Sequence, residues 1–83
     1  MASGTIVKNV VEYIVNQIVE DTKSVKVDVA DSDDENVTIE VRTSPDDMGR
    51  VIGKRGRVAR AIRTVAQAAA DEEGLDSSVE FID

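Results

Sequence analysis

Cysteine and histidine are both absent from the 83-residue chain, and together these absences remove a great deal of chemistry. Without cysteine there is no disulfide framework, thiolate nucleophile or thiolate zinc site. Without histidine the usual general base near neutral pH and the commonest transition-metal ligand are gone as well. The expectation is a non-catalytic protein with no metal and no other cofactor. Long uncharged apolar runs are also missing, so no segment reads as membrane-spanning. Residues Met1 to Thr5 lack the basic region and apolar stretch of a secretory signal, and the chain reads as cytoplasmic.

What is present fits a small soluble domain. Apolar residues make up 41% of the chain and charged residues 33%, a balance typical of globular folds. A chain this short has room for one domain, 1–83, burying roughly 60 to 65% of its unfolded surface. The net charge is -7, which by itself opposes a polyanionic partner. The charge is not evenly spread. Arg50, Lys54, Arg55, Arg57, Arg60 and Arg63 fall in one acid-free stretch, leaving 4 cations against 17 acids elsewhere. At physiological salt the Debye length is about 8 Å, so a polyanion meeting that stretch hardly feels the distant acids.

The hydrophobic pattern gives the order of elements. Val7, Val10, Val11, Ile14 and Ile18 recur at helical spacing between Ile6 and Val19. Val25, Val27 and Val29, then Val37, Ile39 and Val41, alternate with polar residues and read as two antiparallel strands joined by an exposed hairpin loop from Ala30 to Asn36. Ser44-Pro45-Asp46-Asp47 is a helix start, with Ser44 as cap, the only proline at the first helical position and two acids at the positive end of the helix dipole. That helix runs to about Ile52. After Gly53 and Gly56 a further helix covers Arg57 to Ala70, with Val58, Ile62, Val65 and Ala69 on its apolar face, and Gly74 stops it. Val79 to Ile82 supplies a last strand. A strand reached through two helices pairs in parallel, by a right-handed crossover. The expected fold is therefore α+β, in the order α-β-β-α-α-β, with a three-stranded mixed sheet covered on one face by three helices.

The chemistry centres on Gly53-Lys54-Arg55-Gly56. A Gly-x-x-Gly turn between two helices presents backbone N–H groups that neither helix uses, beside the positive end of the second helix. Glycine reaches positive φ without penalty and has no side chain to hold an anion off the backbone. Lys54 and Arg55 occupy the tip. Single-stranded nucleic acid is the natural ligand, its phosphates on the loop and its bases turned toward the apolar flanks of the helices.

Val51-Ile52-Gly53-Lys54-Arg55-Gly56 resembles the signature of KH domains, whose loop clamps about four nucleotides of backbone. The element order is similar to the type II form of that fold, and nearly the whole chain resembles the small stand-alone bacterial KH proteins of the KhpA family. The resemblance implies an RNA-binding site formed by Gly53, Lys54, Arg55 and Gly56 on the backbone, with Ile52, Arg57 and Val58 lining the adjacent groove; Arg60, from the basic run, is counted with the RNA-binding residues. It also implies a protein partner, a second copy or a larger KH-containing protein, and roles as an RNA chaperone or post-transcriptional regulator affecting cell-envelope growth and division. Ala59 stands where many KH domains carry a larger aliphatic residue, so a shallow groove with weak base preference is expected. The only aromatics are Tyr13 and Phe81, too few and too far from the loop in sequence for recognition by aromatic stacking.

Other readings stand beside these. The glycines could serve only as caps in a plain connection between helices, and the loop with its basic helix could be a dimer interface instead of an RNA site. Arg57, Arg60 and Arg63 fit a solvated helix face as well as a phosphate-tracking stripe, and Ile52, Val58 and Ile62 fit the core as well as a ligand groove. Two motif matches fail. Gly49 to Arg55 is one residue short of a P-loop, with Arg55 where Ser or Thr must meet magnesium, and Asp31 to Arg42 lacks both the glycine and the final Glu of a calcium loop.

Overall fold

The computed structural model describes residues 4–82. Helix α1 spans Thr5–Ile18, strands β1 and β2 span Lys26–Ser32 and Asn36–Arg42, helices α2 and α3 span Pro45–Ile52 and Arg57–Glu72, and strand β3 spans Asp76–Ile82, with single 3-10 turns at Thr22–Ser24 and Lys54–Gly56. The order is the expected α-β-β-α-α-β. The sheet runs β1-β2-β3, with β2 central, antiparallel to β1 and parallel to β3. Val27 faces Val41, Val29 faces Ile39, and Ile39 in turn faces Val79, so alternate residues of all three strands point to the helical layer.

That layer and the inner sheet face share one core. Val7, Val11 and Val15 from α1, Val37, Ile39 and Val41 from β2, Val51 from α2 and Ile62 from α3 are all buried. Alanines at 59, 66 and 70 complete the buried face of α3, and their small side chains let the helix lie close to the sheet. β-branched valines at positions 7, 11 and 15 cost helix propensity, a loss outweighed by burial worth roughly 1.5 to 3 kcal/mol each.

Several expectations need correction. The hairpin is tighter than Ala30 to Asn36: pairing continues to Ser32 opposite Val37. Asp33 makes the short turn possible, its Oδ1 accepting from the N–H groups of Glu35 and Asn36 at 2.8 Å each. The strand ends carry exposed side chains, so alternation gave no sign of them. The apolar face of α3 is rotated: Ala59, Ile62, Ala66 and Ala70 are buried, whereas Val65 is 44% exposed. Bulk, which drew attention to Val65, misleads where the packing calls for alanine. Ser44 stands at the N-cap of α2 but makes no side-chain cap; its Oγ donates to Asp47 Oδ2 at 3.1 Å instead. The last strand begins at Asp76, earlier than Val79.

Candidate nucleic-acid interface

Three consecutive features of the backbone build the loop. Gly53 ends α2 at φ 77, ψ 170, a region essentially restricted to glycine. A Cβ there would overlap Val58 Cγ2 and stand 2.9 Å from Val58 N. Arg55 then adopts φ 59 and Gly56 φ 71, two left-handed residues in succession that reverse the chain into α3. Gly53 N–H donates to Gly49 O at 2.8 Å and Gly56 N–H to Gly53 O at 3.1 Å. The N–H groups of Lys54 and Arg55 have no acceptor among the described residues. Arg57 N–H donates to Lys54 O, and no described side chain caps the N-terminus of α3, so the positive end of that helix stands open beside the loop.

Of the six cations near the loop, four are free to meet a ligand. Lys54, Arg55, Arg57 and Arg60 are exposed, and their side chains have no hydrogen bond or ion pair among the described residues. Arg50 is engaged, its NH1 lying 2.8 Å from Glu20 Oε1 and 3.3 Å from Asp47 Oδ1. Arg63 is engaged too: its Nε donates to Val79 O at 3.2 Å and its guanidinium lies 5.2 Å from the centre of the Phe81 ring. The even run of positive charge in the sequence thus becomes a compact group of four at the loop and the first turn of α3. Ile52 and Val58 are half-buried on either side of Gly53, partly core and partly surface. Ile62, 2% exposed, belongs to the core alone. Ala59 is 3% exposed and lends almost no surface to a ligand, so it offers no support for a shallow groove.

Two side chains hold this arrangement in place: Asp47, which the sequence marked only as an acid at the helix dipole, and Gln67, which it did not mark. Asp47 is 2% exposed. Its Oδ1 accepts from Glu20 N–H at 3.1 Å and its Oδ2 from Asp21 N–H at 3.0 Å, pinning the connection after α1 to the first turn of α2. Those two N–H groups, in that order, hold its carboxyl below the usual carboxylate range, with help from Ser44 and Arg50 against the opposing effect of burial. Gln67 closes the outer edge of β3: its Nε2 donates to Leu75 O at 3.2 Å while its Oε1 accepts from Ser77 N–H at 2.9 Å. The amide takes the place of a neighbouring strand, a device for protecting a sheet edge. An Asp in a first helical turn and a Gln on an exposed face look ordinary in sequence, and only tertiary contact distinguishes them.

Among the described residues no group of three or more acidic, histidine or cysteine side chains could hold a metal ion, and no helix is long and apolar enough to cross a membrane. Asp33, the acid of the calcium-like run that orders its loop, spends its Oδ1 on backbone N–H groups.

The family model described as KhpA/KhpB, KH domain matches residues 8–81. A protein of Clostridium perfringens named RNA-binding protein KhpA is 44% identical over 75 residues, covering 90% of this chain and 99% of that protein. Proteins of the same name from Halalkalibacterium halodurans and Aquifex aeolicus are 41% and 34% identical, each over 92% of this chain, covering 99% and 95% of their own lengths. No solved structure matches the chain significantly.

Proposed function

The chain belongs to the KhpA/KhpB KH-domain family, and on that premise we propose that it binds single-stranded RNA by its backbone, without catalysis, through the loop between α2 and α3. The observation that carries this reading is the coincidence at one turn of two unengaged N–H groups, two successive left-handed residues and four unpaired cations. Gly53, Lys54, Arg55 and Gly56 take the phosphates. Arg57 and Arg60 continue the contact along α3, and Ile52 and Val58 supply the apolar surface against which the first bases lie. Relatives named as RNA-binding proteins over nearly their whole length support the same assignment.

Contacts of this kind discriminate poorly among bases. The protein therefore acts as a general RNA chaperone or post-transcriptional regulator in the cytoplasm, as one KH domain paired with a second copy or a larger KH-containing protein that raises the effective concentration of binding sites. The consequences for cell-envelope growth and division that the family resemblance implies would follow from that regulation. Fluorescence anisotropy with short single-stranded RNA tests the clamp. The Lys54→Asp/Arg55→Asp double variant loses two cations and presents two carboxylates at exposed positions, so it should fold normally and bind at least about tenfold more weakly, a loss of about 1.4 kcal/mol or more. Wild-type affinity in the folded double variant would refute the assignment.

A further inference from the structure

We propose that Arg63 and Phe81 form a platform on which one purine base stacks, next to the phosphates assigned above to the Lys54–Arg55 loop. The platform rests on that RNA-binding reading and adds a base contact to it. In sequence Phe81 lies far from the loop, but folding returns it to the flank of α3. Strand β3 runs back along that helix: Ser77 N–H donates to Gln67 Oε1 at 2.9 Å, and Arg63 Nε donates to Val79 O at 3.2 Å. Phe81 is the next residue on the same side of the strand, one step nearer the loop. It pairs with the buried Val41 and is itself only half-buried against the core.

Arg63 is laid over that ring. Its guanidinium lies 5.2 Å from the ring centre, and the bond from Nε to Val79 O restrains the plane. Arg63 is nevertheless exposed, and it lines an open hollow of about 530 Å³ with Arg60, Thr64, Gln67 and Asp71. A guanidinium backed by an aromatic ring offers its outer face to another π-system, and unstacked RNA bases use both arginine planes and aromatic rings in this way. Because the arginine is already held, it loses little side-chain freedom when a base arrives.

Charge along the hollow favours a base over a phosphate as its occupant. It begins at the free cation Arg60 and ends at Asp71, with Glu72 beyond. A backbone continuing from the loop meets repulsion at the far end, whereas a neutral base does not. The uncharged polar groups leave little with which to read the edge of that base. Thr64 Oγ1 donates to Arg60 O at 3.0 Å, and the Gln67 amide is spent on Asp71, Leu75 and Ser77. Stacking is then the main contact, and it favours purines by their larger ring area while separating adenine from guanine poorly. Arg63 lies about 9 Å along the axis of α3 from Arg57, or two to three nucleotides at the stacked spacing of about 3.4 Å. The platform thus falls within the roughly four nucleotides that a loop of this kind clamps.

Fluorescence anisotropy with labelled four-nucleotide RNAs of uridine tests the platform, each position being filled in turn by adenine or by an abasic ribose. At one position the full chain should bind adenine at least about fivefold more tightly than the abasic ribose. Arg63→Lys keeps the charge and removes the plane, and Phe81→Leu keeps apolar bulk and removes the ring. Each should remain folded by circular dichroism and cut that ratio to below about twofold, and Arg63→Lys should keep the wild-type dependence of affinity on salt. In NMR spectra the Phe81 ring protons should move upfield with the adenine RNA and stay fixed with the abasic one. A wild type indifferent to the base at every position, or a ratio that survives both substitutions, would overturn the platform and leave the phosphate clamp standing. A wild type that binds none of these RNAs would overturn clamp and platform together.

Discussion

Gly53 and Gly56 read alike in sequence, yet the loop asks different things of them. At Gly53 both the backbone conformation and the space exclude a side chain, because a Cβ would run into Val58 on the first turn of α3. At Gly56 a Cβ would meet nothing within 4 Å, and the only demand is the left-handed φ of 71. Replacing each with alanine should separate the two effects in urea unfolding at neutral pH. Gly56→Ala should cost about 1 kcal/mol, the usual penalty for a side chain in that conformation. Gly53→Ala should cost about 2 to 4 kcal/mol, strain and overlap together. Equal losses at both sites would mean that Val58 moves aside freely. The two glycines were legible from spacing alone. That Arg55, which has a side chain, shares their left-handed conformation was not, because no residue pattern marks an αL arginine.

Among the elements, α2 has the most unusual anchoring. Its eight residues deliver the loop, and the buried carboxylate of Asp47 holds it to the segment after α1, with the exposed Arg50–Glu20 ion pair beside it. The start of α2 was legible from Pro45 and the two acids, but the sequence assigned those acids to the helix dipole. In the structure Asp46 is exposed while Asp47 is buried under two long-range N–H bonds. Since its folded pKa is depressed, its contribution to stability is complete above the ordinary carboxylate pKa of about 4 and is lost as pH falls through the lower folded value. Asp47→Asn sets an NH2 group against backbone donors and should lower the urea midpoint clearly at pH 7. At pH 3 the gap between wild type and variant should narrow as the wild-type carboxyl begins to protonate. A gap that is unchanged between the two pH values would show that the ionised form is not what holds α2. Helix α3 is likewise two-sided in a way the sequence blurred. Its flank toward β3 carries Arg63 and Gln67, which close the sheet edge, and its flank toward α1 carries Val65 in an open groove.

At the scale of the molecule, net charge misleads and local charge decides. A body of net charge -7 should in aggregate repel RNA, yet the four free cations concentrate at one turn. With about three phosphates engaged, the logarithm of RNA affinity should fall with the logarithm of salt at a slope near -2, from about 0.7 per contact on single strands. A slope near zero in an anisotropy series would mean that phosphates are not the main contact. Much of this was determined by the sequence itself: the α-β-β-α-α-β order, the parallel return of the last strand and the loop with its cations follow from period, caps and glycine spacing, all local properties of the chain. Tertiary structure decided which of the six cations stay free, since Arg50 is engaged by Glu20 as well as by its helix neighbour Asp47, and Arg63 by Val79 and Phe81; Glu20, Val79 and Phe81 are remote in sequence. It alone decided the buried face of α3, because close packing against the sheet selects alanine over the larger valine. It also decided the roles of Asp47 and Gln67, whose partners are backbone groups that carry no residue-specific signature in any sequence.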